Sequence, residues 1–183
     1  YKRITNRYES GVLTGKGVEW GGPLVRPEAT GYGVAFFLEE TLKAQADSLE
    51  GKACVVSGSG NVAVYATEKI HQLGGTVTAC SDSSGFVHDE RGIDVDLLKQ
   101  VKFVERGRVS DYAAQCGTAR FVPQGNIWTI PCQVAVPCAT QNEIDGSDAV
   151  LLVKNGCSAV AEGANMPTTP DGVRVFLESG IAY

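Results

Sequence analysis

The residues with the plainest chemical meaning are Gly58-Ser59-Gly60-Asn61-Val62-Ala63, which follow the apolar run Ala53-Cys54-Val55-Val56-Ser57 and open a helical pattern. In a Gly-x-Gly-x-x-Ala turn, the first glycine allows a tight bend after a strand. The second leaves the backbone bare so that a pyrophosphate can approach, and the third small residue lets the helix lie close to the strand. The free N–H groups and positive end of that helix then face the phosphates. Asp82 follows Gly58 by 24 residues, near the ~20-residue spacing at which a carboxylate meets an adenosine ribose. The pattern points to a dinucleotide-binding turn. The competing reading is a glycine-rich turn in some other α/β protein.

Such a turn needs a strand before it and a helix after it, and the neighbouring sequence supplies both. A strand is predicted over 52–57 and a helix over 61–73, with Gly74-Gly75 marking its exit. Upstream, Pro27 and Glu28 suit the first turn of a helix reaching about residue 46. Gly31 and Gly33 in its early turns lower helix propensity and imply close approach of this backbone to something. Downstream, strands are expected over 76–81, 119–122, 133–137 and 159–161, with Ile181 opening a further one. Residues 86–92 read as a small excursion or a hairpin. Helices are expected over 95–105, 109–116, 146–155 and 171–179. This alternation predicts a doubly wound, mostly parallel α/β sheet, Rossmann-like, with helices on both faces. The loops 57–61, 82–85, 138–142 and 162–168 should share its carboxyl edge, where a ligand would sit.

Residues 1 to about 9 look like the end of a helix. Residues 11–27 hold Gly11, Gly15, Gly17, Gly21, Gly22, Pro23 and Pro27, a loop or short hairpin suited to a hinge. The expected organisation is a hinge segment over 1–27 and one dinucleotide-binding domain over 28–183. The opening in mid-helix without Met suggests a piece of a longer protein.

Composition narrows the function classes. Of 183 residues, 43% are apolar and 20% charged, and the net charge is −5, which argues against a nucleic-acid surface. No apolar run is long enough to span a bilayer, and Tyr1-Lys2-Arg3-Ile4 does not open a signal peptide. The six cysteines form no Cys-x-x-Cys pair, and several sit inside apolar runs. No metal site or disulfide framework is expected, and a reducing cytoplasm fits. Cys138 precedes a polar loop, but no His stands near it in sequence to activate a nucleophile. His71 reads as a surface or satisfied histidine, His88 as part of a solvated loop, and Trp20 and Trp128 as packing residues.

Several stretches together resemble glutamate dehydrogenase: Gly11-Val-Leu-Thr-Gly-Lys-Gly17, Arg26-Pro-Glu-Ala-Thr-Gly-Tyr-Gly33, Ser57-Gly-Ser-Gly-Asn-Val-Ala63, Ser81-Asp-Ser-Ser-Gly85, Pro137-Cys-Ala-Thr-Gln-Asn-Glu143 and Ala161-Glu-Gly-Ala-Asn-Met-Pro-Thr-Thr169. The Ser-Asp-Ser-Ser-Gly and Ala-Asn-Met-Pro-Thr-Thr forms are similar to the NADP-preferring, hexameric branch. The resemblance covers the family's cofactor-binding domain. It implies that the substrate domain, with its lysines and aspartate, lies elsewhere, so no catalytic residue is expected in this segment.

By that resemblance, Ser57, Gly58, Ser59, Gly60, Asn61 and Val62 would surround the pyrophosphate and adjoining ribose. Thr30 and Asn165 would hold the nicotinamide carboxamide, and Arg26 would stand near the interdomain cleft. Ala139, Thr140 and Asn142 would lie along the nicotinamide ribose. Ser81, Asp82 and Ser83 would surround the adenosine 2′ position. Lys102, Arg106 or Arg108 would supply positive charge there. The general rule for an acid at Asp82 favours NAD, whereas the resemblance favours NADP. The implied reaction interconverts L-glutamate and 2-oxoglutarate with ammonia in a homo-hexamer. The alternatives are a leucine- or phenylalanine-type amino acid dehydrogenase domain and a non-catalytic nucleotide-binding module.

Overall fold

β1 (Ala53–Val56) and β2 (Thr76–Asp82) lie side by side and parallel at the centre of a six-stranded sheet. β3 (Gly85–His88) and β4 (Arg120–Pro123) extend the sheet beyond β2. β5 (Val134–Val136) and β6 (Ala159–Val160) extend it beyond β1, giving the order β4-β3-β2-β1-β5-β6. β2, β1, β5 and β6 run parallel, and β3 and β4 are antiparallel additions at one edge. The computed structural model describes residues 2–7, 9–12, 15–24 and 26–183. Tyr1, Tyr8, Leu13, Thr14 and Val25, all within the expected hinge segment, lie outside the described residues.

The short β1 run Ala-Cys-Val-Val is buried on both faces because alternate side chains serve different layers. Cys54 and Val56 join Val77, Val134 and Val136 beneath α2 (Ala29–Ala44), α3 (Asn61–Gln72) and α5 (Val109–Cys116), which contribute Leu38, Ile70 and Tyr112. Val55, Ala79, Ala135 and Val160 face the other way. There they meet Leu152 of α6 (Gly146–Lys154), Phe176 of α7 (Pro170–Ser179) and Trp128. Two apolar layers around one sheet are the doubly wound architecture that the alternation predicted.

Some elements differ from expectation. The segment expected over 86–92 contributes only Phe86–His88 to a strand, β3, which forms a hairpin with β2 and also pairs with β4, Cys80 facing Val87 and Phe86 facing Val122. The helix expected over 95–105 is α4 (Val95–Lys99) running into a wide π-helical turn, Gln100–Val104. Only Ala182, bridged to Ala159, represents the last expected strand. Residues 2–5 form a single helical turn, α1 (Lys2–Thr5), and the segment after it holds 3₁₀ turns at Ser10–Val12 and Val18–Trp20, with no strand among its described residues. Trp128 is 2% exposed, as a packing residue should be, but Trp20 is 61% exposed. Among the described residues, no helix is long and apolar enough to cross a membrane.

Candidate functional site

The carboxyl ends of β1, β2, β5 and β6 converge on the Gly58 turn. Gly58 has φ +85°, and a Cβ there would lie 3.2 Å from both Ala139 Cα and Cys138 O. A left-handed backbone and a close neighbour together require glycine. Its N–H donates to Ser81 Oγ (2.9 Å), and Ser81 N–H donates to Gly58 O (3.3 Å), so the end of β2 braces the turn. Ser57 Oγ, 1% exposed, accepts from Cys138 N (2.8 Å). Ser57 and Ser81 therefore support the edge from within, and Ser59 is also buried.

Gly60 is different. It caps α3 with φ −84° and ψ −172°, which any residue can adopt, and a Cβ added there would meet nothing within 4 Å. The fold does not require glycine at this point. No side chain caps α3, whose first internal bond is Val64 N–H to Gly60 O. The N–H groups ahead of Val64 and the positive helix end thus face an open space beside a bare Cα.

That space opens into a groove of two connected clefts that share Thr30 and Val62. One, about 420 Å³, is lined by Thr30, Val62, Ala139, Thr140 and Asn165, with Cys138 and Gly163 behind them. The other, about 430 Å³, adds Arg26 and Asn61. Seven expected site residues are brought together here. Asn142 stands behind the wall: it has φ +54°, and its N–H donates to Met166 O (3.0 Å), joining the two loops. Cys138 is 8% exposed, and burial followed by the nearby Glu143 charge pushes its thiol pKa well up, so it is an inert apolar filler rather than a nucleophile.

Asp82 lies at the far end of the same edge, and four donors occupy its carboxylate. Oδ1 accepts from Ser84 N (2.8 Å) and Ser84 Oγ (2.5 Å). Oδ2 accepts from Val109 N (3.0 Å), the first residue of α5, and faces Lys102 Nζ at 3.4 Å. Burial alone would push its pKa up. The Ser84 hydroxyl and amide, the Val109 amide and the Lys102 charge outweigh burial and hold it below the usual range. Lys102 Nζ also donates to Gly107 O (2.8 Å), so it is turned inward. Arg106 and Arg108 are both exposed, and it is Arg108 whose Nη1 donates to Ser83 Oγ (2.6 Å).

Glu143, which no sequence motif singled out as a site residue, fills the underside of the β5 loop. Its Oε1 accepts from Ala139 N (3.0 Å) and Thr140 N (3.2 Å). Burial raises its pKa, opposed by the Ser57 hydroxyl and these two amides. His71 is satisfied, as expected: its Nε2 accepts from Val77 N (3.0 Å). His88 belongs to β3 rather than to a solvated loop. Among the described residues, no group of three His, Cys, Asp or Glu side chains is placed to hold a metal.

Comparison with known proteins adds an independent line. Residues 21–183 match the family model described as glutamate/leucine/phenylalanine/valine dehydrogenase. The chain is 49% identical, over its full length, to the NADP-specific glutamate dehydrogenase of Helicobacter pylori, covering 42% of that protein. It is also 49% identical to the NAD(P)-specific glutamate dehydrogenase of Xylanibacter ruminicola, covering 41% of it. It superposes on 39% of the crystal structure of Plasmodium falciparum glutamate dehydrogenase with a TM-score of 0.90 and 44% identity, over 99% of its own length. The chain thus spans about two fifths of the relatives it matches.

Proposed function

Because the chain belongs to the glutamate/leucine/phenylalanine/valine dehydrogenase family, we propose that it forms the cofactor-binding part of an NADP-type glutamate dehydrogenase. In this reading residues 28–183 are the dinucleotide-binding domain and 1–27 the hinge segment. The observation that carries the proposal is Gly60, a position the fold leaves bare at the uncapped start of α3. A helix N-terminus with an open approach is where a pyrophosphate gains most from backbone N–H groups. Gly60→Val should therefore keep the thermal transition within a few degrees of wild type while weakening NADPH binding at least tenfold. Unchanged affinity would overturn the assignment.

The groove gives each remaining residue a task. Asn61 and Val62 offer backbone N–H groups to the phosphates. Thr30 and Asn165, both lining the groove, suit the two ends of a carboxamide and would fix which ring face meets the substrate. Ala139 and Thr140 form the wall along the nicotinamide ribose, and Arg26 marks the open end. A nicotinamide held there would accept the hydride from the α-carbon of L-glutamate, and the full reaction would take L-glutamate, water and NADP⁺ to 2-oxoglutarate, ammonia, NADPH and a proton. The chain's own residues contribute orientation and electrostatics.

The 2′ position supports NADP over NAD. A carboxylate selects a ribose diol only if its lone pairs are available, and those of Asp82 are already taken. Lys102 offsets its charge from behind. Ser83 and Arg108 then present a hydroxyl and an exposed guanidinium, donors suited to a 2′-phosphate. The identity to relatives named for glutamate supports that substrate over leucine or phenylalanine. Acid–base groups and the hexamer contacts would come from the remainder of such an enzyme.

A further inference from the structure

From the loop that follows β5, we infer that Glu143 is a positioning residue that shapes the nicotinamide end of the groove, an inference that rests on the cofactor-binding reading above. Three consecutive backbone N–H groups, those of Cys138, Ala139 and Thr140, point into the protein. Cys138 N–H meets the Ser57 hydroxyl (2.8 Å), and the other two meet one oxygen of Glu143 (3.0 and 3.2 Å). Successive N–H groups curled in one direction form a concavity that attracts anions. Here the chain's own carboxylate fills it.

The surroundings make the loop depend on this filling. Below, Ser57 is fixed in β1's exit and is 1% exposed. Beside it, Pro137 O accepts from Gly163 N (2.9 Å) and Ala164 N (3.0 Å), and Asn142 N–H donates to Met166 O. Residues 137 and 142 are thus pinned to the loop after β6, and the arc between them is held by Ser57 and Glu143. On the outer side of that arc, exposed Ala139 and Thr140 form one wall of the groove. On the inner side, Ala139 Cα and Cys138 O sit where a side chain on Gly58 would go.

Filling the concavity from inside also directs the ligand. With the 138–140 amides turned away, the β5 loop offers no competing anion site, and the pyrophosphate is left to the start of α3. Removing the carboxylate leaves two amides without partners and lets the arc collapse or turn outward. The cost should fall on the nicotinamide half of a cofactor and spare the adenosine half.

The test compares NADPH with 2′,5′-ADP, which lacks the nicotinamide, as ligands of the 183-residue chain, with hydrogen exchange read at the amides of Ala139 and Thr140. Glu143→Ala should accelerate exchange at both amides. It should weaken NADPH roughly tenfold, the scale of a lost hydrogen bond to a charged group, and leave 2′,5′-ADP within twofold. Glu143→Gln keeps an acceptor at Oε1 and should restore much of both readouts. It also provides the test if the alanine variant does not fold. Equal losses for the two ligands, or no loss for NADPH, would overturn the positioning role while leaving the cofactor site intact. Failure of the unmodified chain to bind either ligand would overturn the cofactor site and, with it, this inference.

Discussion

The carboxylates of Asp82 and Glu143 both direct their lone pairs at the protein's own donors, and their effects can be measured separately. Asp82 receives the first amide of α5 and so acts as a tertiary cap on that helix. Asp82→Asn should cost about 1–2 kcal/mol at pH 7. Because the folded-state pKa is depressed, this stabilisation is present above the unfolded pKa of about 3.9 and is lost as pH falls through the folded value. The gap between wild type and Asp82→Asn should therefore narrow between pH 5 and pH 3 in urea titrations, and a constant gap would contradict the capping role. His71 works in a higher window. Burial holds its pKa below the ordinary value, and the bond from Val77 N requires the neutral ring. Stability should decline as pH drops through about 6.5, and His71→Gln, which keeps an acceptor, should flatten that slope. At the 2′ subsite, Arg108→Ala should weaken NADPH by roughly 1–3 kcal/mol and leave NADH nearly unchanged. Lys102→Ala should instead lower stability, since it unpairs Asp82. The choice between Lys102 and Arg108 was not legible in the sequence, because it depends on how the π-helical turn Gln100–Val104 aims Lys102 inward. Glu143 was equally hidden: its amide partners lie three and four residues earlier in a loop with no repeating pattern.

The glycines of α2 show how the elements fit together. A Cβ on Gly31 would lie 2.6 Å from both Ala66 N and Val62 O, backbone atoms of α3, whereas one on Gly33 would meet nothing within 4 Å. Gly31 thus lets the two helices approach backbone to backbone and brings Thr30 beside Val62 in the groove. Gly31→Ala should destabilise the chain by about 1–3 kcal/mol. Gly33→Ala, in the same helix and facing open space, should be neutral or stabilising by about 0.5–1 kcal/mol. Chemical denaturation of the pair checks the contrast, and equal effects would mean that α2 and α3 are not in this contact. Close approach was legible as glycine in a helix, but which of the two glycines makes it was not, since that depends on how α2 is rotated against α3. The strands were legible from β-branched runs bounded by turn residues. The wide turn after α4 was missed because its residues continue an ordinary helical pattern, and the pairing of β4 with β3 was not legible because 31 residues of chain separate them.

At the scale of the whole molecule, the proposed task of the groove is to hold and orient a cofactor. Among the described residues lining it, Cys138 is the only ionisable acid, and its thiol is buried and inert. The 183-residue chain should therefore show no measurable glutamate oxidation with NADP⁺ present, and robust turnover would reveal a base that the groove does not display. In the proposed function, this chain holds an NADP-type cofactor through the start of α3 and the Ser83–Arg108 corner. The most direct test is a titration of the chain with NADPH and with NADH at two salt concentrations. NADPH should bind more tightly than NADH, with the advantage shrinking at high salt as the 2′-phosphate is screened. Tighter binding of NADH, or no binding of either, would contradict it.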